Sequence, residues 1–491
     1  MKKIFLFLSI TLSLNVIAQD KKAEKFAATI TPAELKEKLD VIAGAEMEGR
    51  ETATEGQRRA ATYIEEYFKK LKLMPGDSGK YQMPFPVYQD SLLSATVTVN
   101  NTEFMFGDDF APAGSGIPSG SWTTPVVVFA GDGLKDSTHN DYDSLDLKGK
   151  WVMIAPPTLN ENSDFAILRK TLLASAYKAD GLLIVSDTFP RSGPRRKGMM
   201  YNTPGTKNVF PALFISKKIA RQIVGADAIT DFHILPRKEY ETEFRFTAAK
   251  RQNNLQSTDV IGVLPGTDKK SEYVFITAHY DHLGKRDSVI YYGADDDGSG
   301  TASVLEIAEA FAAARDKGIK PRRTIVFMTI SGEEKGLWGS AYYTDHPVFP
   351  LDSTSIDLNV DMVGRIDPSR TYGDSLNYVY TIGEHKLSTD LKRISDSINN
   401  TYSHLELDRK FNDPKDPNRF YYRSDHYNFA KKGVPIIFYF NGTHADYHRP
   451  TDTVDKINFE LMAKRVKLVF YTAWEMANRN EMVKRDKPLN E

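Results

Sequence analysis

The chain of 491 residues contains no cysteine. This absence excludes disulfide bonds, a lipid-modified N-terminal cysteine and thiolate ligands for a metal ion. Any metal site in this protein must therefore be built from histidine and carboxylate side chains, which also limits the metals that it would suit.

The chain also has little net charge and no long apolar run. Lys and Arg number 64 against 65 Asp and Glu, a net charge of −1, so no overall field attracts nucleic acid or an anionic membrane. The apolar stretch from Ile4 to about Ile17 is shorter than the ~20 residues of a spanning helix. Two lysines before it and Ala18 after it predict a signal peptide, residues 1–18. We expect export to the periplasm or the medium without a stable membrane anchor; a retained anchor is the alternative.

Beyond the signal peptide, the hydrophobic pattern divides the chain into three parts. Residues 19–93 carry helix signals, among them Thr31 as an N-cap followed by proline. Residues 94–240 contain short β-rich runs between Gly and Pro clusters, which predicts an inserted second domain. The alternative, that all strands belong to one sheet, stays open at this point. Residues 241–491 form the third part.

From Asp259 onward, strands and helices alternate. The strands are near-continuous apolar runs, such as "YVFITAH" and "RTIVFMTI", which indicates that both faces of the sheet are covered. The pattern predicts an α/β sandwich with a largely parallel sheet flanked by helices.

Acidic and histidine residues follow the ends of these predicted strands. They occur in the segments "AHYDH", "GADDDGSG", "SGEEKG", "NVDMVG" and "HADYHRPTD". Each segment alone is as well explained by a turn. Together they place acids and imidazoles at the carboxyl edge of one sheet, where clustered carboxylates need a compensating charge. A divalent metal supplies that charge, and zinc suits a mixture of imidazole and carboxylate best.

The five segments, in this order, resemble the zinc aminopeptidases of peptidase family M28. The resemblance covers Asp259 to about Asn478 and implies a mixed sheet flanked by helices. The inserted region also resembles a protease-associated domain, through "DLKGKWVMIAPP" and "FPALFIS".

The resemblance implies a site for two Zn²⁺ ions. Asp296 would bridge the two ions, and the peptide bond after it is typically cis in this family. Glu333 would be the general base that takes a proton from a metal-bridged water, the nucleophile. Asp281 would orient the ligand His279 without binding the metal itself. The remaining ligands would be His279 and Asp361 for one ion, and Glu334 and His448 for the other.

Further residues near these segments have less certain roles. Tyr447 precedes the last histidine, where the family places a phenol that stabilises the oxyanion; a packed aromatic is the equal alternative. His282 occupies a position where many relatives have a small residue, and its larger side chain would narrow the substrate-binding side of the site. The segment Arg423–His426 either lines the substrate pocket or supports it.

The predicted function is that of an exported di-zinc aminopeptidase, which hydrolyses N-terminal residues from peptides. A carboxypeptidase acting on acidic C-termini is one alternative, which would need an arginine patch; the basic stretch Pro194–Gly198 is better explained as solvated. A glutaminyl-peptide cyclotransferase needs only one zinc, so the second ligand set argues against it. A non-catalytic receptor would be expected to lose ligands, and none is lost here. Residue specificity and oligomeric state stay open.

Overall fold

A computed structural model describes residues 19–113, 117–158, 163–189, 197–203 and 210–489. The predicted signal peptide lies outside these ranges. No helix within the described ranges is long and apolar enough to cross a membrane.

The chain divides into two compact units. The first comprises residues 1–85 and 256–491, and the second comprises residues 86–255. The predicted inserted region, 94–240, lies within the second unit.

The first unit is built on a mixed sheet whose centre is parallel. Strand Lys269–His279 pairs in parallel with Arg323–Ile330 on one side and with Thr354–Val360 on the other. Thr354–Val360 pairs in parallel with Ile436–Phe440. Antiparallel pairs flank this centre, with residues 260–264 beyond Arg323–Ile330. In order across the sheet, the strands are Glu406–Asp408, Tyr378–Ile382, Ile436–Phe440, Thr354–Val360, Lys269–His279, Arg323–Ile330 and the end of Lys238–Leu264, with the short Met74–Pro75 beside it.

Hydrophobic cores cover both faces of this sheet. Along Arg323–Ile330, Ile325 and Phe327 belong to one core, whereas Val326 and Met328 belong to the other, as expected when successive strand side chains point to opposite faces. The sandwich with a mixed, largely parallel sheet flanked by helices is therefore confirmed.

The helices of this unit begin and end close to the predicted signals. The Thr31 hydroxyl accepts a hydrogen bond from the Glu34 N–H at 3.2 Å, and proline occupies the first turn. The predicted N-cap is thus confirmed. The α-helices of this unit are Lys21–Ala27, Pro32–Ile42, Glu55–Lys70, Gly300–Asp316, Trp338–Asp345, Leu391–Ile398, His426–Lys431 and Phe459–Asn478.

The second unit has its own hydrophobic core. Three consecutive parallel pairs join Gly120–Phe129, Trp151–Ile154, Gly181–Ser186 and Ala212–Ser216. Residues 238–248 pair antiparallel at one side, and Phe110–Pro112 at the other. The other strands of this unit are Thr102–Met105, Lys197–Tyr201 and part of Gln82–Val99, and its α-helices are Asp164–Ala176 and Lys217–Val224.

Candidate metal centre

Two neighbouring parallel strands deliver a histidine and an aspartate to the carboxyl edge of the first sheet. His279 is the last residue of Lys269–His279, and Asp361 directly follows Thr354–Val360. His279 Nε2 and Asp361 Oδ1 lie 3.7 Å apart, and both residues are buried. The parallel pairing brings them together because both strands end at the same edge.

Asp296 lies between this pair and a second group. It belongs to Ala294–Ser299, which leads into helix Gly300–Asp316, and its peptide bond to Asp297 is cis, as the resemblance implied. One carboxylate oxygen, Oδ1, is 3.3 Å from His279 Nε2. The other, Oδ2, is 3.1 Å from His448 Nε2.

The second group consists of Glu334 and His448 around the same aspartate. Glu334 follows strand Arg323–Ile330, and its Oε2 lies 3.2 Å from His448 Nε2. All five predicted ligands therefore converge on one place, with Asp296 common to both groups.

The donor atoms fit a metal centre. Four ligands at 2.0–2.1 Å from a zinc ion, arranged as a tetrahedron, are about 3.3 Å from one another, and the distances between donors in both groups surround that value. Two buried carboxylate oxygens of the second group, Asp296 Oδ2 and Glu334 Oε1, have no hydrogen-bond partner among the described residues. Buried acceptors without partners are costly, so a cation between them would remove the penalty.

The two adjacent glutamates have opposite pKa shifts. Burial raises the pKa of Glu333 well above its ordinary value, and the charges of Glu334 and Asp361 add to this effect. Burial acts in the same direction on Glu334, but the imidazoles of His282 and His448 outweigh it and lower the pKa to about 2. Such a split suits one carboxylate that exchanges protons and one that stays charged.

Asp281 has a different arrangement from the expected one. The Nδ1 atom of His279 is 3.1 Å from the main-chain oxygen of Asp281 and 3.7 Å from its carboxylate. The carboxylate instead accepts hydrogen bonds from the Glu333 N–H at 3.2 Å and the Thr52 hydroxyl at 2.6 Å. It thus connects the histidine ligand to the loop that carries the glutamates.

Two residues of the N-terminal part, Thr52 and Arg50, were missed by sequence reasoning. Arg50 is fully buried and donates hydrogen bonds to main-chain oxygens beside the site. The only signal for them was "EGRETAT", a polar stretch between two helices. The four acceptors of Arg50, at 2.6 to 2.9 Å, are the carbonyl oxygens of Ile42, Tyr280, Tyr292 and Gly293.

The other candidates near the site divide into supporting and exposed groups. Within Arg423–His426, the last three residues are buried, which favours the supporting role. Arg423 is exposed and donates a hydrogen bond to Tyr447 Oη at 3.3 Å. The Tyr447 ring stacks on His448, with centroids 3.9 Å apart, and burial raises the pKa of its phenol. The phenol therefore stays protonated and can donate a hydrogen bond.

Two histidines are placed differently from expectation. His282, considered for the substrate side, is fully buried beside Glu334, with Nδ1 at 2.8 Å from Oε1. His444, to which the sequence assigns no role, has its Nε2 3.1 Å from Asp295 Oδ2.

A parallel sheet with imidazoles and carboxylates at its carboxyl edge defines the class of α/β proteins with a site suited to a divalent metal ion. Residues 259–473 match the family described as peptidase family M28. The chain is 25% identical over 456 residues to aminopeptidase YwaD of Bacillus subtilis, covering 89% of this chain and 83% of that protein. It is 29% identical over 240 residues to a probable leucine aminopeptidase of Arthroderma otae, covering 48% of this chain and 61% of the fungal protein.

Among solved structures, a zinc aminopeptidase from Bacillus subtilis has the same fold, with a TM-score of 0.55 and 20% identity. That likeness covers 93% of this chain and 98% of the other. Residues 259–473 therefore form a domain of peptidase family M28. The predicted resemblance to family M28 is confirmed over these residues, as is the prediction of an enzyme of the peptidase class.

Proposed function

We propose that this protein is an aminopeptidase that removes N-terminal residues from peptides with the help of two Zn²⁺ ions. The observation that carries the proposal is the convergence of four imidazole and carboxylate side chains around the shared Asp296, with Glu333 beside them. One ion would be held by His279 and Asp361, the other by Glu334 and His448.

Zinc, when bound, would polarise the scissile carbonyl and make water a better nucleophile near neutral pH. The chain's own residues would manage the protons. Glu333 Oε2 lies 3.9 Å from His279 Nε2, beside the first ligand group. Its raised pKa suits a carboxylate that accepts a proton from water and returns it to the leaving amine. The Tyr447 phenol would donate a hydrogen bond to the developing oxyanion.

The variant Glu333→Gln tests the assignment of the base. We expect it to bind zinc as the wild type does and to lose about 10²-fold to 10⁴-fold in kcat, the usual contribution of a general base. Zinc content and hydrolysis of an aminoacyl arylamide would be measured together. Glu66→Gln, the same change at a position whose side chain is 64% exposed, should be fully active. Full activity of Glu333→Gln would rule out this role.

A substrate panel tests the reaction itself. The zinc-loaded enzyme would be given amino-acid and dipeptide arylamides, N-blocked peptides, peptides with acidic C-termini and peptides with N-terminal glutamine. We expect cleavage only where the amine is free. Arg423 is the reason to include acidic C-termini, since its exposed guanidinium beside Tyr447 would suit a substrate carboxylate. Cleavage of N-blocked peptides alone would favour the carboxypeptidase, and cyclisation of glutamine the cyclotransferase.

The export of the protein and the nature of the second unit also belong to this proposal. We infer that residues 1–18 are removed on export, so the mature chain would begin at Gln19. N-terminal sequencing of protein recovered from the periplasm or the medium would test this. The parallel core strands of residues 86–255 support a protease-associated domain.

A further inference from the structure

His282 is held in place as firmly as the proposed ligands. It is fully buried. Its main-chain N–H donates a hydrogen bond to the Arg50 carbonyl at 3.2 Å. Gly293 lies directly against the ring, since a Cβ added there would be 2.5 Å from two ring carbons. The imidazole therefore has one position available, and that position faces the acidic site.

The nearest polar atoms to this imidazole are carboxylate oxygens of the second ligand group. Nδ1 lies 2.8 Å from Glu334 Oε1 and 3.8 Å from Asp296 Oδ2. Despite the short distance, the geometry is not that of a hydrogen bond. Both ring nitrogens and both of these oxygens have no hydrogen-bond partner within the described part of the chain. Nδ1 and the two oxygens lie close together, and three buried polar atoms without partners at one place indicate a missing shared partner.

We propose that His282 Nδ1 is a fourth protein ligand to the metal held by Asp296, Glu334 and His448, an inference that rests on the proposed function. Neighbouring donors in this set are 2.8, 3.1, 3.2 and 3.8 Å apart, around the value of about 3.3 Å for a tetrahedral zinc site. The donor atoms of His282, Asp296 and Glu334 lie close enough together to hold a metal ion even without His448.

The two metal sites then differ in kind. The site of His279, Asp296 and Asp361 has three protein ligands and keeps an open position, as catalytic zinc sites do. The site with His282 has four protein ligands and is closed, as structural zinc sites are. The closed site should therefore bind zinc more tightly, and the open site should be where substrate enters the coordination sphere.

A competing explanation is that His282 only donates a hydrogen bond that positions Glu334. Two variants separate the explanations. His282→Ala removes both the donor and the ligand. His282→Asn places an amide near the former Nδ1, so it can donate to Glu334 but offers zinc no imidazole nitrogen. His404→Asn is the matched control, because His404 is exposed and in a left-handed conformation that asparagine tolerates.

Zinc affinity would be measured on the full chain, stripped of metal, by competition with a chromophoric chelator. We expect two classes of site in the wild type and in His404→Asn. Both His282 variants should weaken the tight class by about tenfold or more and leave the weaker class unchanged. Unaltered affinities in both variants would overturn the proposal, as would a loss in His282→Ala that His282→Asn restores. Thermal unfolding of the metal-free proteins would show that each variant folds.

X-ray absorption at one equivalent of zinc provides a reading independent of affinity. We expect scattering from two imidazoles in the wild type and from one in His282→Asn; one imidazole in the wild type would overturn the proposal. Neither measurement uses substrate. Failure on the arylamide panel with these zinc results intact would refute the proposed activity alone, whereas normal turnover with unchanged zinc affinities in the variants would refute only the role of His282.

Discussion

At the scale of single residues, Asp297 shapes the proposed metal centre without being one of its proposed ligands. Its carboxylate accepts hydrogen bonds from the N–H groups of His279, Gly300 and Met362, at 3.2, 2.9 and 3.0 Å. It thereby ties two ligand-bearing strand ends to the start of the helix after Asp296. One of these three bonds comes from Gly300, the first residue of that helix.

Asp297→Asn should lower the free energy of unfolding by about 1–3 kcal/mol, because an amide nitrogen would face a buried N–H donor. Zinc affinity should fall with it. Asp295→Asn is the control. Its oxygen can keep the bonds from Gly364 N–H and the Ser299 hydroxyl, at 2.7 and 3.1 Å, while the amide faces His444. Urea unfolding of both variants measures the difference; equal losses would contradict this view of Asp297.

At the scale of elements, the segment Ala45–Arg50 and the residues after it support the loops that carry the site. Thr52 holds the Asp281 carboxylate, and Glu51 pairs with Lys335 at 2.9 Å. Burial lowers the pKa of Arg50 to about 10. The fully buried guanidinium stabilises the loops of the site through hydrogen bonds to their carbonyl oxygens rather than through a direct ion pair.

Arg50→Met should therefore destabilise the first unit by several kcal/mol, since each buried carbonyl left without a donor costs about 1–3 kcal/mol. Arg58→Met is the matched control, at a position whose side chain is 57% exposed, and should change the free energy of unfolding by no more than about 0.5 kcal/mol. Denaturant unfolding measures both, and similar curves for the two variants would disprove the supporting role of Arg50.

At the scale of the whole molecule, the buried histidine His426 makes folding sensitive to acid. Its Nε2 donates a hydrogen bond to the Tyr421 carbonyl at 2.8 Å, and its ring stacks on Phe438. Burial lowers its pKa to about 3, whereas in the unfolded chain it has the ordinary value of about 6.5. Between these values the unfolded state binds a proton that the folded state does not, so stability falls as the pH falls.

His426→Gln should flatten this dependence, because glutamine can still donate to the Tyr421 carbonyl but binds no proton. Stability would be followed from pH 7 downwards in the presence of a chelator, so that metal loss does not contribute. The wild type should lose on the order of 4 kcal/mol relative to the variant across the window. Parallel curves for the two proteins would contradict the prediction; His404→Asn should follow the wild type.

The sequence by itself determined the fold class and the order of the ligand segments. Apolar strands covered on both faces are recognisable from composition alone, and residues directly after parallel strands must meet at one edge. For this reason the segments that carry His279, Glu334 and Asp361 are expected at one edge of the sheet, and each of these residues lies at or just after the end of a strand.

Only the tertiary structure decided which residues surround the proposed ligands and what they contact. The Asp281 carboxylate turns to Thr52, which is 229 residues away in the chain. His282 is enclosed by Gly293 and brought against Glu334. Local sequence carries no signal for such contacts, because hydrogen-bond partners and buried neighbours come from packing between distant segments.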